Sequence, residues 1–405
     1  YTGNQWQNFY SVGLGWLMSE EAWMKDITWL DMLKLKGSWG TLGNQNLDRA
    51  YPAEPLLTNA YSAVFGTPSA IYPGYQLAYL PNPKLRWEKV EAWEAGAEAN
   101  FLRNRLHFEG VYYKKKTKDL LAEVPGISGT VPGIGNLGSI ENSGVELALS
   151  WRDRIGDWNY NIGMNLATIK NKVLSLVQEG YSIIAGDKQQ SYTMAGYPIG
   201  YFYGYKVEGV YQTQEEIEHS PKNTLATVTP GDLKFRDVNG DGIINTEDKV
   251  MISEYGNMPR IQYGLGMNID YKGFNFGVFF NGSAMRTLMI SGITPFGQDD
   301  YNVMQFIAND YWTEANPNPN AAYPRLGLTD AQTANNTQPS TYWMRNGNFI
   351  RFKTLEIGYR FKHARVYFSG NNLFVFSPFK LWDPELAWNS YPLQRTFNIG
   401  LQLTF

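Results

Sequence analysis

The chain has 405 residues, a net charge of only -3 and no cysteine, so it offers no electrostatic reason to expect nucleic acid or an anionic membrane surface as partner, and disulfides, thiol catalysis and thiolate metal sites are excluded. Charged residues make up 18% of the chain, below the roughly 25% typical of soluble proteins, while aromatics reach 15% with 27 Tyr and 13 Trp. Mean hydropathy is -0.37 and no run approaches the roughly 18 apolar residues that a membrane helix requires. A chain of this composition that spans a membrane would do so with strands, whose aromatic residues gather at the two interfaces.

Strand-like alternation begins almost at once. Tyr10, Val12, Leu14 and Trp16 share one face of an extended segment. The start at Tyr1, with no Met and no signal peptide, leads us to expect the C-terminal piece of a longer chain. Leu33, Leu35 and Trp39 repeat the pattern against Lys34, Lys36 and Ser38. Trp93, Ala95, Ala97, Ala99 and Phe101 then alternate with Glu94, Glu98 and Asn100, and a short polar turn leads into a strand from about 106 to 118. Val145, Leu147, Leu149 and Trp151 form the next apolar row. Trp158, Tyr160, Ile162, Met164 and Leu166 follow, opposed by Asn159, Asn161, Gly163 and Asn165. Ile261 to Ile269 and Phe274 to Phe280 alternate in the same way. Two strands near 349–361 and 364–376 and a last one at 394–405 complete a set of eleven.

The final strand places Phe397, Ile399, Leu401, Leu403 and Phe405 on one face and Asn398, Gly400, Gln402 and Thr404 on the other. Taken alone it fits a half-buried strand of a soluble β-sandwich as well as the last strand of an outer-membrane barrel. The connections separate the two. Links near 102–105, 152–157, 272–273 and 362–363 are short. An intermediate link at 18–31 has room for a helical turn. Links at about 43–85, 120–139, 172–258, 281–347 and 377–393 are long. Short and long links alternate, as in an up-and-down transmembrane barrel with short periplasmic turns and long extracellular loops. Soluble sandwiches rarely keep loops beyond about 15 residues. The expected fold is therefore all-β, an antiparallel transmembrane β-barrel of which residues 1–405 form the C-terminal part. The strand-like segment 200–212 would break the parity and is expected to be an ordered part of a long loop. With both end strands lacking a neighbour, the 405-residue piece is expected not to fold stably alone.

Several residues carry candidate chemistry. Residues 237–248, "DVNGDGIINTED", match a calcium-binding loop. Asp237, Asn239 and Asp241 stand at positions 1, 3 and 5, Gly242 at the sharp turn, the Ile243 carbonyl at 7, Asn245 at 9 and Asp248 at 12, where an EF-hand usually has Glu. Oxygen ligands at every second residue let a short loop wrap a hard cation, with a structural role in ordering an outer loop. The alternative is a metal-free turn, since Asp, Asn and Gly favour such turns anyway. "GIGNLG" at 133–138 matches G-x-G-x-x-G, but no helix follows it, so the glycines shape a loop rather than a dinucleotide site. His107, His219 and His363 are far apart and no nucleophile motif accompanies them, so no enzyme activity is expected. Glu88, Glu94 and Glu98 share the polar face of one strand and are expected to meet Lys or Arg opposite. Trp343, Trp382 and Trp388 could stack on sugar rings, although single loop tryptophans are more often anchors.

The stretches "LDMLKLKGSWGTLGNQ", "NPKLRWEKVEAWEAGAE", "YYKKKTKDLL", "NLGSIENSGVELAL", "GDLKFRDVNGDGIINTEDKVMI", "VYFSGNNLFVF" and "RTFNIGLQLTF" resemble, in order and over nearly the whole chain, the C-terminal part of SusC-like TonB-dependent outer-membrane transporters of Bacteroidetes. The resemblance implies about 22 barrel strands around an N-terminal plug, of which the eleven here are the second half. It also implies integral location in the outer membrane, contact with its lipid, and a SusD-like surface lipoprotein as lid. Energy would come from the TonB complex, acting through a missing N-terminal part, and pairs of transporter and lid could associate as dimers. The implied function is active import of large nutrients, glycan oligosaccharides first and oligopeptides as the alternative within the family. A siderophore or cobalamin receptor and a passive porin are further alternatives. The terminal Phe405 resembles the signal read by the machinery that assembles such barrels.

Overall fold

The computed structural model describes residues 6–47, 52–124, 133–177, 179–186, 188–290, 305–387 and 390–404. All eleven expected strands form. They are β1 (Ser11–Leu17), β2 (Leu30–Asn44), β3 (Glu88–Phe101), β4 (Leu106–Lys118), β5 (Ser139–Ile155), β6 (Trp158–Thr168), β7 (Ile261–Tyr271), β8 (Phe274–Ala284), β9 (Phe349–Arg360), β10 (Ala364–Phe376) and β11 (Thr396–Leu403). Phe405 and Trp388 lie outside the described residues. No described helix is long and apolar enough to cross a membrane.

The chain divides into two compact units. The first comprises residues 1–152, 167–181 and 194–197. In it β1, β2, β3, β4 and β5 pair in sequence order, each antiparallel to the next, and a short strand, Lys170–Ser175, pairs with β5. The second unit comprises 153–166, 182–193 and 198–405. There the order is β6, β7, β8, β9, β10, β11, again following the sequence. Neighbour-to-neighbour antiparallel order is what short hairpins produce. A two-residue hairpin joins β7 to β8 through Lys272 and Gly273, with φ of 44° and 90°. Two successive positive φ values are the type I′ geometry, whose twist matches that of the strands it joins. A side chain at Gly273 would also press on the Arg360 carbonyl at 2.9 Å.

Register assigns every strand two chemically different faces, because directly opposed residues point the same way. In the second unit Leu265 opposes Phe280, and Ile357 opposes Phe276 on one side and Phe368 on the other, which in turn opposes Ile399. This apolar face is open: Leu265 is 42% exposed, Ile357 45% and Ile399 83%. The opposite face carries Asn268, Asn275, Thr354, Glu356, Ser369 and Asn398. A soluble sandwich would bury the first face and wet the second. Contiguous exposed apolar rows over whole strands need another apolar medium.

The buried cores of the second unit lie in its long loops. Tyr205, Val210, Leu233, Phe235, Ile244, Trp312 and Ala321 form one cluster, and Ile290, Ile307, Tyr323 and Trp343 another. Each large side chain among them is worth about 1.5–3 kcal/mol of burial. The segment expected as ordered loop supplies two short strands, Tyr201–Gly204 and Val207–Val210, which pair with Val250–Ser253 and Leu233–Phe235. In the first unit the long loop after β2 folds into a hairpin, Leu57–Phe65 with Ala70–Leu77. The link at 18–31 holds two single 3-10 turns, Met18–Glu20 and Ala22–Met24.

Candidate functional site

The polar face of the first unit is built by strand alternation alone. Lys34, Lys36 and Ser38 of β2 oppose Glu98, Gly96 and Glu94 of β3, which oppose Glu109, Val111 and Tyr113 of β4. Lys36 forms an ion pair with Glu109. The two are separated by β3, and Gly96 makes the crossing feasible: a Cβ there would meet the Lys36 side chain at 3.3 Å and the Gly110 carbonyl at 2.6 Å. A concavity of about 480 Å³ opens on this face, lined by Lys34, Lys36, Glu94, Glu109, Lys115 and Glu146 among others. Glu94 and Glu98 sit on the expected face, but the cation expected for them is paired with Glu109. Glu88 accepts the Leu121 amide at 3.3 Å.

In the second unit a concavity of about 430 Å³ is lined by Asn165, Gln262, Asn281, Ser283, Arg286 and Glu385 among others. Asn281 Oδ1 and Ser283 Oγ face no protein hydrogen-bond partner among the described residues. Next to them in register, Arg351 opposes Asn281 and is almost fully buried. Its Nη2 donates to both Asp383 oxygens at 2.6 and 2.7 Å, and its Nε donates to Glu385. This clamp pins the loop after β10 against the polar face of β9. Sequence inspection missed it, although a lone Arg inside the aromatic strand "FIRF" and the acidic pair in "WDPEL" were available signals.

A second buried ion pair organises the outer loops. Asp232 is wholly buried. It accepts the Thr229 amide at 2.8 Å and the Asn336 side-chain amide at 2.7 Å, and Arg325 lies 2.7 Å away. Burial, the largest influence, pushes its carboxyl above the usual range, and these partners oppose that push. Asn335, also buried, donates to the Leu233 carbonyl at 2.9 Å. Lys249 lies 5.4 Å from the Tyr205 ring centre and is pushed down by burial.

The 237–248 loop hangs from this core by Ile244 and Asp248, both buried, with its tip in solvent. Asp237 accepts the Gly240 and Gly242 amides at 2.7 and 2.8 Å, Asn239 the Asp241 amide at 3.1 Å, and Asp241 the Ile243 amide at 2.8 Å. Asp248 accepts the Val238 and Asn245 amides at 2.8 and 2.9 Å, and Asn245 accepts the Glu247 amide, a capping box around the turn Thr246–Asp248. The side-chain oxygens at positions 1, 3 and 5 thus each accept backbone amides of the loop, the bonding of a turn rich in Asp, Asn and Gly. Asp248 is held by two backbone amides, and among the described residues no three His, Cys, Asp or Glu side chains gather as a metal cluster.

The remaining candidates stand apart. Residues 133–136 form a strand paired with Leu121–Val124, and the glycines serve close packing: a Cβ on Gly138 would lie 2.1 Å from the Ser175 carbonyl. His107 meets Asn100 at 2.6 Å on β4, His219 caps a short helix, and His363 lies in the turn before β10. Trp343 is buried and donates to the Asn336 carbonyl at 2.8 Å, and Trp382 packs on Phe379 with ring centres 4.6 Å apart. Both are anchors of the loop core rather than open platforms.

Open apolar strand faces, polar opposite faces and sequential antiparallel order define a membrane-spanning sheet of the outer-membrane type. The TonB dependent receptor-like, beta-barrel family matches residues 1–373, and the chain belongs to that family. TonB-dependent receptor P26 of Formosa agariphila is 30% identical over 99% of this chain and 43% of its own length. TonB-dependent receptor SusC of Bacteroides thetaiotaomicron is 27% identical over 99% of this chain and 40% of its own. The RagAB peptide transporter superposes with a TM-score of 0.80 at 24% identity, covering 98% of this chain and 43% of that one. The chain thus spans less than half the length of the relatives it matches. Its fold is the all-β barrel of these outer-membrane proteins, its likeness is to SusC-like receptors, and the relatives are named as receptors or transporters rather than enzymes.

Proposed function

We propose that this chain forms barrel wall and outer loops of a transporter that imports large nutrients across the outer membrane, driven by the TonB complex and closed by a SusD-like lipoprotein. The observation that carries the reading is that, in each of the two units, strands paired in sequence order set an open apolar face against a polar opposite face. Long loops folded around their own cores give the extracellular end a firm surface on which a lid can seat. Glycan oligosaccharides are the first cargo class, supported by the likeness to SusC-like receptors. Oligopeptides are the second, favoured by the close superposition on a protein described as a peptide transporter.

These 405 residues contain no cysteine, so a thiol introduced among them reports sidedness once any cysteine elsewhere in the full-length protein is replaced by serine. With Glu218→Cys in the full-length protein, an impermeant maleimide should label intact cells. Labelling only after lysis would overturn the orientation. Deleting the gene should abolish growth on oligosaccharides above the porin size limit while growth on monosaccharides continues. Loss on oligopeptides instead would transfer the cargo to the second class, and no loss on either would refute import.

Calcium in the 237–248 loop belongs to the same reading, supported by the Asp237, Asn239, Asp241 and Ile243 oxygens. With Asp248 held by amides, affinity should fall in the weak range of about 10⁻⁴–10⁻³ M. Calorimetry should show one site that Asp237→Asn with Asp241→Asn removes. Identical heats from that variant would eliminate the site.

A further inference from the structure

The apolar face of the first unit changes character toward the long-loop end. Trp39 of β2 opposes Trp93 of β3, with ring centres 6.0 Å apart, and Tyr112 of β4 stands one row below. Continuing across the row of the tryptophans come Lys114, Ser143 and Lys170. The next row reads Thr41, Glu91, Lys116, Glu141 and Lys172, and beyond it Lys89 opposes Lys118. Six lysines from three strands, β3, β4 and Lys170–Ser175, with β5 between the last two, therefore occupy the same face as the apolar rows, immediately past an aromatic belt.

Only two of them are neutralised by acidic side chains. Lys114 pairs with Glu141 at 3.1 Å and Lys118 with Glu91 at 3.0 Å. Lys89, Lys116, Lys170 and Lys172 have no acidic partner within ion-pair distance among the described residues, and Lys170 and Lys172 are exposed. This excess stands on a chain whose net charge is -3, so it is a local device and not a consequence of overall composition. On the other side of the same strand, Asn171 and Val173 turn inward: Asn171 bonds Asn142 at 2.7 Å and Val173 is fully buried.

Aromatic belts mark the level where hydrocarbon gives way to headgroups. Lysines on the lipid side at that height meet headgroup phosphates, which attract them strongly and over a range set by salt. We propose that this lysine band binds the phosphorylated headgroup of a glycolipid, holding an annular lipid against β3, β4, β5 and Lys170–Ser175. The proposal rests on the membrane-spanning reading. The outward orientation above adds that the lipid belongs to the outer leaflet.

The test uses the full-length protein in nanodiscs of phosphatidylcholine doped with diphosphoryl lipid A, with bound lipid counted by native mass spectrometry. The wild type should retain lipid A, and 0.5 M KCl should weaken that retention. The variant K89Q/K116Q/K170Q/K172Q should lose at least tenfold, and the matching Lys→Arg variant should retain it. Dephosphorylated lipid A should bind the wild type no better than phosphatidylcholine. Folding of each variant is checked by heat-shifted mobility in gels. A folded Gln variant that keeps lipid A, or equal binding of the dephosphorylated lipid, overturns the proposal. So does a Gln variant that keeps lipid A and loses a co-purifying lipoprotein, since the band would then be a protein interface. Retention in nanodiscs does not depend on which end faces outward, so a failed maleimide experiment would change the leaflet and leave the lipid result standing.

Discussion

Arg325→Met is expected to loosen the outer-loop core while leaving the strands intact. Asp232 is wholly buried, and Arg325 is its sole cationic partner among the described residues. Removing one member of a buried pair leaves an uncompensated charge and costs about 3–5 kcal/mol. Amide exchange should rise sharply at Leu233–Phe235 and around Asn335 and Asn336, which hang on the same carboxylate through the Asn336 bond. Heat-shifted gel mobility, which reports the strands, should stay as in the wild type. The double variant Asp232→Leu with Arg325→Met should recover part of the loss, because it removes the stranded charge. Unchanged exchange in Arg325→Met would show that the pair does not hold the loops.

The second large effect tests the two strand faces. Leu265 lies near the middle of β7 on the apolar face and is 42% exposed. Arginine there should cost about 2–4 kcal/mol, the value for a lipid-facing site at the bilayer midplane. Asn268, three residues on, points the other way, and Asn268→Arg should cost little because that face is polar. Equilibrium urea unfolding in lipid vesicles measures both. Equal costs, or a silent Leu265→Arg, would reverse the assignment of faces.

The strands were legible because their information is local. Side chains alternate with a period of two, so Trp158 to Leu166 or Phe397 to Leu403 announce both the strand and its faces without reference to anything else. Short polar links between them announce hairpins, and the long ones announce loops. The 237–248 loop was legible for the same reason: its oxygens recur every second residue within twelve positions.

What stayed hidden is what depends on partners far along the chain. Arg351 and the acidic pair Asp383 and Glu385 are each visible in the sequence, but nothing local joins them, and nothing near Asp232 predicts Arg325 or Asn336. Glu94 and Glu98 were placed on the right face, yet Lys36 reaches over Gly96 to Glu109, because side-chain length and a missing Cβ decide which carboxylate it meets. Asp248 fits position 12 of a calcium loop by count, but the fold turns its carboxylate to the Val238 and Asn245 amides. The six lysines were visible singly and balanced by an acidic chain overall; only register across four strands brings them into one band. The sequence by itself therefore determined the strands, their faces and the rhythm of short and long links, all set by backbone periodicity. The tertiary structure alone decided which charges meet and where the buried cores lie, since those follow from non-local approach in space.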